Sequence, residues 1–364
     1  MILVLNAGSS SLRFALFEGD RIEGGTIDRI PPGGQQGALG RVLDSLEPHG
    51  GVAGIAAVGH RLVHGGSSFT GPTILDDRAL AELHRLVQLD PDHLPAEIAL
   101  VEALRARVPA TPQVGCFDTA FHAGIPRVAR LLAIPRRFEA QGVRRYGFHG
   151  LSYQFVVEEL GRVAAGAAQG RVVIAHLGSG SSLAAVHAGQ CVDTTMGFTP
   201  NSGVPMGTRS GDLDAGLLIY LLRTEKLTAD ELDAMLSKES GLLGVSGTSA
   251  DMRDLLGSEA TDGAAADAVG LYCHHVRKAI GALATTLDGL DMLVFTGGIG
   301  ENAAVVRSRI CEGLGHLGVR LDSERNGVSA AVVSTDLSPV MVRVVRTDEE
   351  RIIARDTLAV LNRR

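Results

Sequence analysis

Two short stretches of this chain repeat one device, and the repetition constrains its fold more than any other feature. The first is Val4-Leu5-Asn6-Ala7-Gly8-Ser9-Ser10-Ser11-Leu12-Arg13-Phe14, and the second is Ile174-Ala175-His176-Leu177-Gly178-Ser179-Gly180-Ser181-Ser182-Leu183-Ala184. In each, an apolar run enters a Gly/Ser turn and leaves as a second run, the pattern of a hairpin with a small tip. Glycine lets backbone approach a ligand closely, and a nest of N–H and hydroxyl donors suits phosphate. One such turn alone is ordinary hairpin punctuation. Two of them indicate a duplicated domain, with a phosphate clamp in each half.

A chain of 364 residues is too long for one simple core and is expected to form two domains. With 45% hydrophobic and 21% charged residues it reads as globular. The net charge of −7 argues against nucleic-acid binding, which calls for a basic face. Only Lys226, Lys238 and Lys278 are lysines, so phosphate contacts near the motifs must use arginine or backbone. Cys116, Cys191, Cys273 and Cys311 are scattered, without zinc-ligand spacing, and read as free thiols of a reducing compartment. The apolar run 1–5 lacks a basic leader and stops at Asn6, so neither a signal peptide nor a membrane span is expected and the location reads as cytoplasmic.

Period-two and period-3.6 patterning predicts strands at 2–5, 12–17 and 21–27, a short helix near 39–46, and a strand at 55–59 leading into the His60-Arg61 motif. Helices at 77–89 and 95–107 and a buried strand at 113–117 follow. The second half repeats the plan: strands at 172–175, 182–187 and 190–194, then helices at 213–223, 229–237 and 264–287. A strand at 292–295 runs into Thr296-Gly297-Gly298-Ile299-Gly300-Glu301-Asn302 and a helix through Arg309. A last strand, 340–345, precedes a capped C-terminal helix.

No G-x-x-x-x-G-K-[ST] occurs, and the Gly178 cluster leads into a strand where a dinucleotide fold needs a helix. The cluster at 297–300 does lie between strand and helix, as a nucleotide turn or as a tight structural turn. Five polar segments interrupt apolar runs: 59–66, 117–122, 144–150, 193–214 and 246–253. Arginine, aspartate and histidine beside glycines at strand ends are typical of active-site loops. Together with two phosphate hairpins they favour phosphoryl transfer.

Taken in order, these segments carry a resemblance. Leu-Asn-Ala-Gly-Ser-Ser-Ser at 5–11, Gly-His-Arg-Leu-Val-His-Gly-Gly at 59–66, Phe-Asp-Thr-Ala-Phe-His at 117–122 and Arg-Tyr-Gly-Phe-His-Gly at 145–150 open the series. Asp-Thr-Thr-Met-Gly-Phe-Thr-Pro at 193–200, Met-Gly-Thr-Arg-Ser-Gly-Asp at 206–212 and Phe-Thr-Gly-Gly-Ile-Gly-Glu-Asn at 295–302 complete it. The chain resembles the acetokinase family, within the acetate and sugar kinase/Hsp70/actin superfamily. The resemblance implies an α/β fold of duplicated actin-like ATPase (ribonuclease H-like) domains, each a mixed five-stranded sheet flanked by helices, with an interdomain cleft that closes on ligand. Residues 1–120 with 350–364 would form the first domain and 121–349 the second, which would bind nucleotide and form a homodimer.

The implied activity is reversible, Mg²⁺- or Mn²⁺-dependent phosphoryl transfer from ATP to acetate, giving acetyl phosphate and ADP. A propionate or butyrate kinase of the same fold is the alternative; an ATP-driven binding module like Hsp70 or actin is a further one. The resemblance assigns Asp118, His149 and Arg209 to catalysis and Arg61, Val63, Phe148 and Pro200 to the carboxylate. It assigns Ser9, Ser11, Arg13 and His176-Leu177-Gly178-Ser179-Gly180 to the ATP phosphates. Asp251-Met252-Arg253 and Gly298-Ile299-Gly300-Glu301-Asn302 would hold the adenosine, and Asn6 and Glu349 the metal.

These roles make chemical sense. A carboxylic acid is already ionised at neutral pH, so its attack needs no general base. The demand is to bring two anions together and stabilise charge on a transferring phosphoryl. Asp118 is therefore expected to orient Arg209 or metal-bound water.

Several positions depart from the family pattern. Arg13 stands for a lysine, Ser179 for an asparagine, Tyr153 for a histidine, and Asn201–Pro205 for a more apolar segment containing Glu. Asp92 takes the place of a leucine lining the acyl pocket. It is expected to point away, capping the helix at 95–107 or pairing with an arginine, while His93 and Leu94 face the cleft; the alternative is a loop shifted by one residue, in which Leu94 supplies the apolar wall.

Overall fold

The computed structural model describes residues 1–8, 11–31 and 33–363. The chain divides into two compact units, one of residues 1–123, 148–155 and 348–364, the other of residues 124–147 and 156–347.

The first unit is built on a mixed sheet. Its strands are β1 (Ile2–Ala7), β2 (Leu12–Glu18), β3 (Asp20–Ile27), β4 (Ala57–Leu62), β5 (Thr73–Ile74) and β6 (Gln113–Phe117), in the order β3-β2-β1-β4-β6-β5. β1 is apolar from Ile2 to Leu5 because both its faces are covered there. Leu3 and Leu5 join one core with Leu39, Val42 and Leu100, while Val4 packs on the other face with Ile352 and Ile353. The helix Glu349–Leu361 lies close over β4 because residue 59 is glycine; a Cβ there would collide with Thr357 and Ile353.

The second unit repeats the order. β7 (Arg171–Leu177), β8 (Ser181–His187), β9 (Gln190–Thr194), β10 (Met292–Thr296) and β11 (Met341–Val344) form a sheet ordered β11-β10-β7-β8-β9. In both units an antiparallel meander is extended by two parallel strands beyond its first member. The duplication seen in the hairpins is thus a duplication of topology. The long helix Gly263–Thr286 covers one face, its Tyr272, Val276 and Ile280 packing with Val173 and Ala175 of β7.

Among the elements that differ from expectation, three stand out. The first sheet carries a sixth strand, the two-residue β5, antiparallel to β6 at the edge. The helix Gly150–Val163 was not signalled, since it opens on glycine without a Ser, Thr, Asp or Asn cap. The helix expected at 213–223 is α-helical only over Ala215–Tyr220. It then widens into a π-turn at Leu221–Glu225 that Lys226 ends in the left-handed region.

All four cysteines are free and buried. No helix among the described residues is long and apolar enough to cross a membrane.

Candidate active site

In the first unit the chemistry gathers at the carboxyl ends of parallel strands. β4 runs to Leu62, farther than expected, because it pairs with β1 from Ile2↔Ala57 and with β6 to Leu62↔Phe117. Arg61 therefore sits on the strand itself, and the Asp118 amide, just past β6, donates to the Leu62 carbonyl at 3.0 Å. Arg61 donates through Nε and Nη2 to Asp118 Oδ2 at 3.1 and 2.6 Å, and through Nη1 to the Ala7 carbonyl at 2.9 Å. The arginine that Asp118 orients is Arg61, where the sequence pointed to Arg209 or metal-bound water. Asp118 is 1% exposed, and its Oδ1 is buried without a hydrogen-bond partner. Burial pushes its carboxyl above the ordinary range, and Glu349 adds to this while Arg61 opposes it. Burial also disfavours the Arg61 charge, but Asp118, Glu349 and Glu97 more than compensate and hold it protonated.

Asn6 ends inside a carboxylate pair. Its Nδ2 donates to Glu349 Oε2 at 2.9 Å and to Glu350 Oε1 at 3.1 Å. Arg13 lies 3.4 and 3.6 Å from the same two carboxylates, so in this structure it serves the acids that flank Asn6. Both glutamates sit in the first turn of the C-terminal helix, where the dipole favours negative charge. Asn6, Glu349 and Glu350 bring hard oxygen donors together, and Asp118 keeps one buried oxygen without a partner. No group of three His, Cys, Asp or Glu among the described residues converges as a complete metal cage. A small divalent ion that keeps waters and substrate oxygens needs only one or two carboxylates, and these residues fit it.

His149 sits at φ +58°, left-handed and uncommon for a side chain with a Cβ. The turn holding it is fixed from both ends. The Gly150 amide donates to the Asp118 carbonyl at 2.9 Å, where a Cβ would collide, and the Phe148 carbonyl bonds His122 Nε2 at 2.9 Å. The Phe148 ring meets His64 edge-on at 5.6 Å. Val63 is buried, with its amide bonded to Glu97 Oε2 at 2.9 Å. His60, in the same motif, is structural: burial lowers it to about 4, and its neutral ring bonds Gln113 at 2.7 Å.

Asp92 is exposed, and it does not cap the following helix, which has no side-chain cap. Asp90 organises that turn, its Oδ1 accepting from His93 N and facing His93 Nδ1 at 2.8 Å. Leu94 is fully buried in an apolar cluster with Leu62, Phe69 and Phe117.

The second unit carries the other hairpin. Ser181 ties its tip by bonding both the amide and the carbonyl of Gly178, and its hydroxyl reaches Tyr272 at 2.8 Å. The Gly207 amide donates to the Ser179 carbonyl at 3.0 Å. Beside this tip lies a cavity of about 750 Å³. Gly178, Ser179, Asp251, Met252, Arg253, Gly298, Ile299 and Asn302 line it, with Ala250, Leu256 and Ala303. Its apolar walls and polar rim suit a planar heterocycle. The other expected nucleotide residues stand elsewhere. Leu177 belongs to the core, and Gly300 is buried against β7 and β10. Glu301 accepts from the Gly297 and Thr347 amides, fixing the loop rather than facing the cavity. His176 is on β7 and Gly180 in the hairpin turn. Arg209 is half-buried; its Nη1 donates to the Pro200 carbonyl at 3.2 Å. Gly241, at φ +62°, packs against the Arg209 backbone so closely that a Cβ would clash.

In the first hairpin, Ser11 accepts the Gly8 amide through its carbonyl at 2.8 Å, and Ser9 lies outside the described residues. Sequence reasoning missed Glu350, whose signal was the doubled acid at 349–350. It also missed Glu97, which had none, since a glutamate in a first helical turn reads as solvated.

A model of the Acetokinase family matches residues 23–355. The chain is 43% identical to the acetate kinase of Rhodopseudomonas palustris, covering 98% of this chain and 97% of the relative. It is 41% identical to that of Methylocella silvestris, covering 99% and 98%. Among solved structures it is similar to Porphyromonas gingivalis acetate kinase, with a TM-score of 0.90 at 35% identity over 99% of both chains. A propionate kinase from Francisella tularensis gives a TM-score of 0.93 at 34% identity, over 98% of this chain and 99% of that one.

Proposed function

The chain belongs to the acetokinase family, and on that premise we propose how its residues carry the family's reaction. The reaction is reversible transfer of the terminal phosphoryl group of ATP to acetate. The observation that carries the assignment of roles is Arg61, a guanidinium held by one oxygen of a buried aspartate at the ends of β4 and β6. Such a fork recognises a carboxylate, and Val63 and Phe148 supply apolar surface for a short acyl chain. Arg209 and His149 stabilise charge on the phosphoryl group as it moves. The cavity beside Gly178 holds the adenosine, and the hairpin tip the phosphates. Glu349, with Asn6 and Glu350, would hold Mg²⁺, and the ion would supply neutralisation of phosphate charge. The residues bind and orient two anions; none has to remove a proton from the acceptor.

The test is an assay for hydroxylamine-trappable acyl phosphate, with ATP and formate, acetate, propionate or butyrate. Acetate is the expected best acceptor. Preference for propionate would support the alternative that the similar propionate kinase structure raises. ATP hydrolysis indifferent to any carboxylate would overturn the reading.

The protein acts in the cytoplasm as a homodimer. What supports the dimer is the helix Ala215–Tyr220 with its approach, where Leu213, Leu217, Ile219 and Tyr220 are each 40–51% exposed, an apolar surface to be covered. Leu217→Glu combined with Ile219→Glu is expected to convert dimer to monomer in sedimentation velocity. A wild-type protein that sediments as a monomer would refute this.

A further inference from the structure

Glu97 is a buried acid that the proposed reaction leaves unused. It stands in the first turn of the helix Leu94–Arg107 and is 3% exposed. Its Oε2 accepts the Val63 amide at 2.9 Å, and its Oε1 is buried with no hydrogen-bond partner. A carboxylate that only anchored a backbone amide would gain nothing from a second oxygen sealed away from water, and would suffer desolvation for it.

Its surroundings explain why an acid there matters. β4 presents Arg61; the preceding turn presents His93 and Asp90, themselves paired at 2.8 Å. His60 on β4 is neutral. Arg61 already answers Asp118 and Glu349, so an ionised Glu97 makes a third negative charge on one guanidinium. A carboxylate substrate at Arg61 would be the fourth.

We propose that Glu97 is a positioning residue for the acceptor: it fixes the Val63 backbone, and its proton sets how firmly the Arg61 guanidinium holds a carboxylate. This rests on the reading of Arg61 and Val63 as the acceptor site. Protonated, Glu97 keeps the amide bond and adds no charge. Ionised, it competes with the substrate for Arg61. Burial is the main cause that raises its carboxyl to about 7, with Arg61, the Val63 amide and His93 opposing, so the change falls near neutral pH. Acceptor binding and the Glu97 proton are then reciprocally linked: acetate binding draws a proton onto Glu97.

The experiment measures acetate KM at saturating Mg-ATP from roughly pH 6.5 to 8.5, for the wild type and for Glu97→Gln, which keeps an acceptor for the Val63 amide without the charge. Wild-type KM is expected to rise about 5-fold over this range, and the glutamine variant is expected to hold a low, flat KM. A rise that persists in the variant, or a flat wild-type profile, would overturn the proposal. Calorimetry of acetate binding in two buffers of different ionisation enthalpy tests the wild type alone. Uptake of roughly half a proton per acetate near pH 7.5 is expected, and zero uptake would overturn the linkage even if the variant does not fold. Failure of the acceptor reading looks different: acetate would then neither bind nor be phosphorylated at any pH.

Discussion

Replacing Arg209 with alanine is expected to lower kcat by about 100-fold or more while moving the ATP KM little. The charge that Arg209 is proposed to meet exists mainly while the phosphoryl group is in flight, and an interaction confined to that moment appears in kcat. The scaffold around it supports a fixed role. The Pro200 carbonyl accepts one of its guanidinium protons, and the Gly241 backbone packs on its own. Arg209→Lys should recover only part of the loss, because an ammonium offers a point charge where a planar fork is needed. Steady-state kinetics decide the matter: near wild-type kcat with weaker acetate binding alone would remove Arg209 from the transition state.

Arg61→Ala is expected to act twice. It removes the fork proposed for the acceptor, raising acetate KM by about tenfold or more, equivalent to about 1.4 kcal/mol. It also strips the counter-ion from Asp118, with Glu349 and Glu97 nearby. Removing one partner of a buried ion pair costs about 3–5 kcal/mol, which a shift in urea midpoint would report. The sign with pH follows from the carboxyls. Burial holds the folded-state carboxyls of Asp118 and Glu97 above their ordinary values, so each opposes folding more as pH rises through that interval. Without Arg61 this opposition grows, and the variant should lose most stability on the alkaline side and least in mild acid. If acetate KM were unchanged while turnover collapsed, the roles of the two arginines should be exchanged.

What the sequence disclosed is what short-range pattern encodes. β6 and β9 were placed to the residue, because β6 is a fully buried run and β9 is bounded by a Gly turn. The hairpin repeat announced the duplicated topology, since its meander is local. The cluster at the end of β4 was legible as a motif but not as a circuit. That Asp118 answers Arg61, and that Glu349 and Glu350 converge on Asn6, depends on contacts spanning up to 344 positions, which no spacing rule carries. The helix at 150–163 was hidden for a different reason. Its start is set by a left-handed His149 and a Gly150 bonded to Asp118, a tertiary cap in place of a sequence cap. Asp92 points away as its charge requires, but the helix start it was expected to cap has no side-chain cap, and Asp90, two residues earlier, bonds the turn before it.

The sealed thiols have a use in the laboratory. Burial raises all four, Cys273 to about 11 and the others further, so an alkylating reagent meets almost no thiolate in the closed protein. Labelling therefore has to wait for the chain to open. Cys116 lies in the first unit and Cys191, Cys273 and Cys311 in the second, so peptide-resolved alkylation rates time the opening of each unit separately. A slow clock for local unfolding is thus built into the native sequence, readable without introducing a single new cysteine.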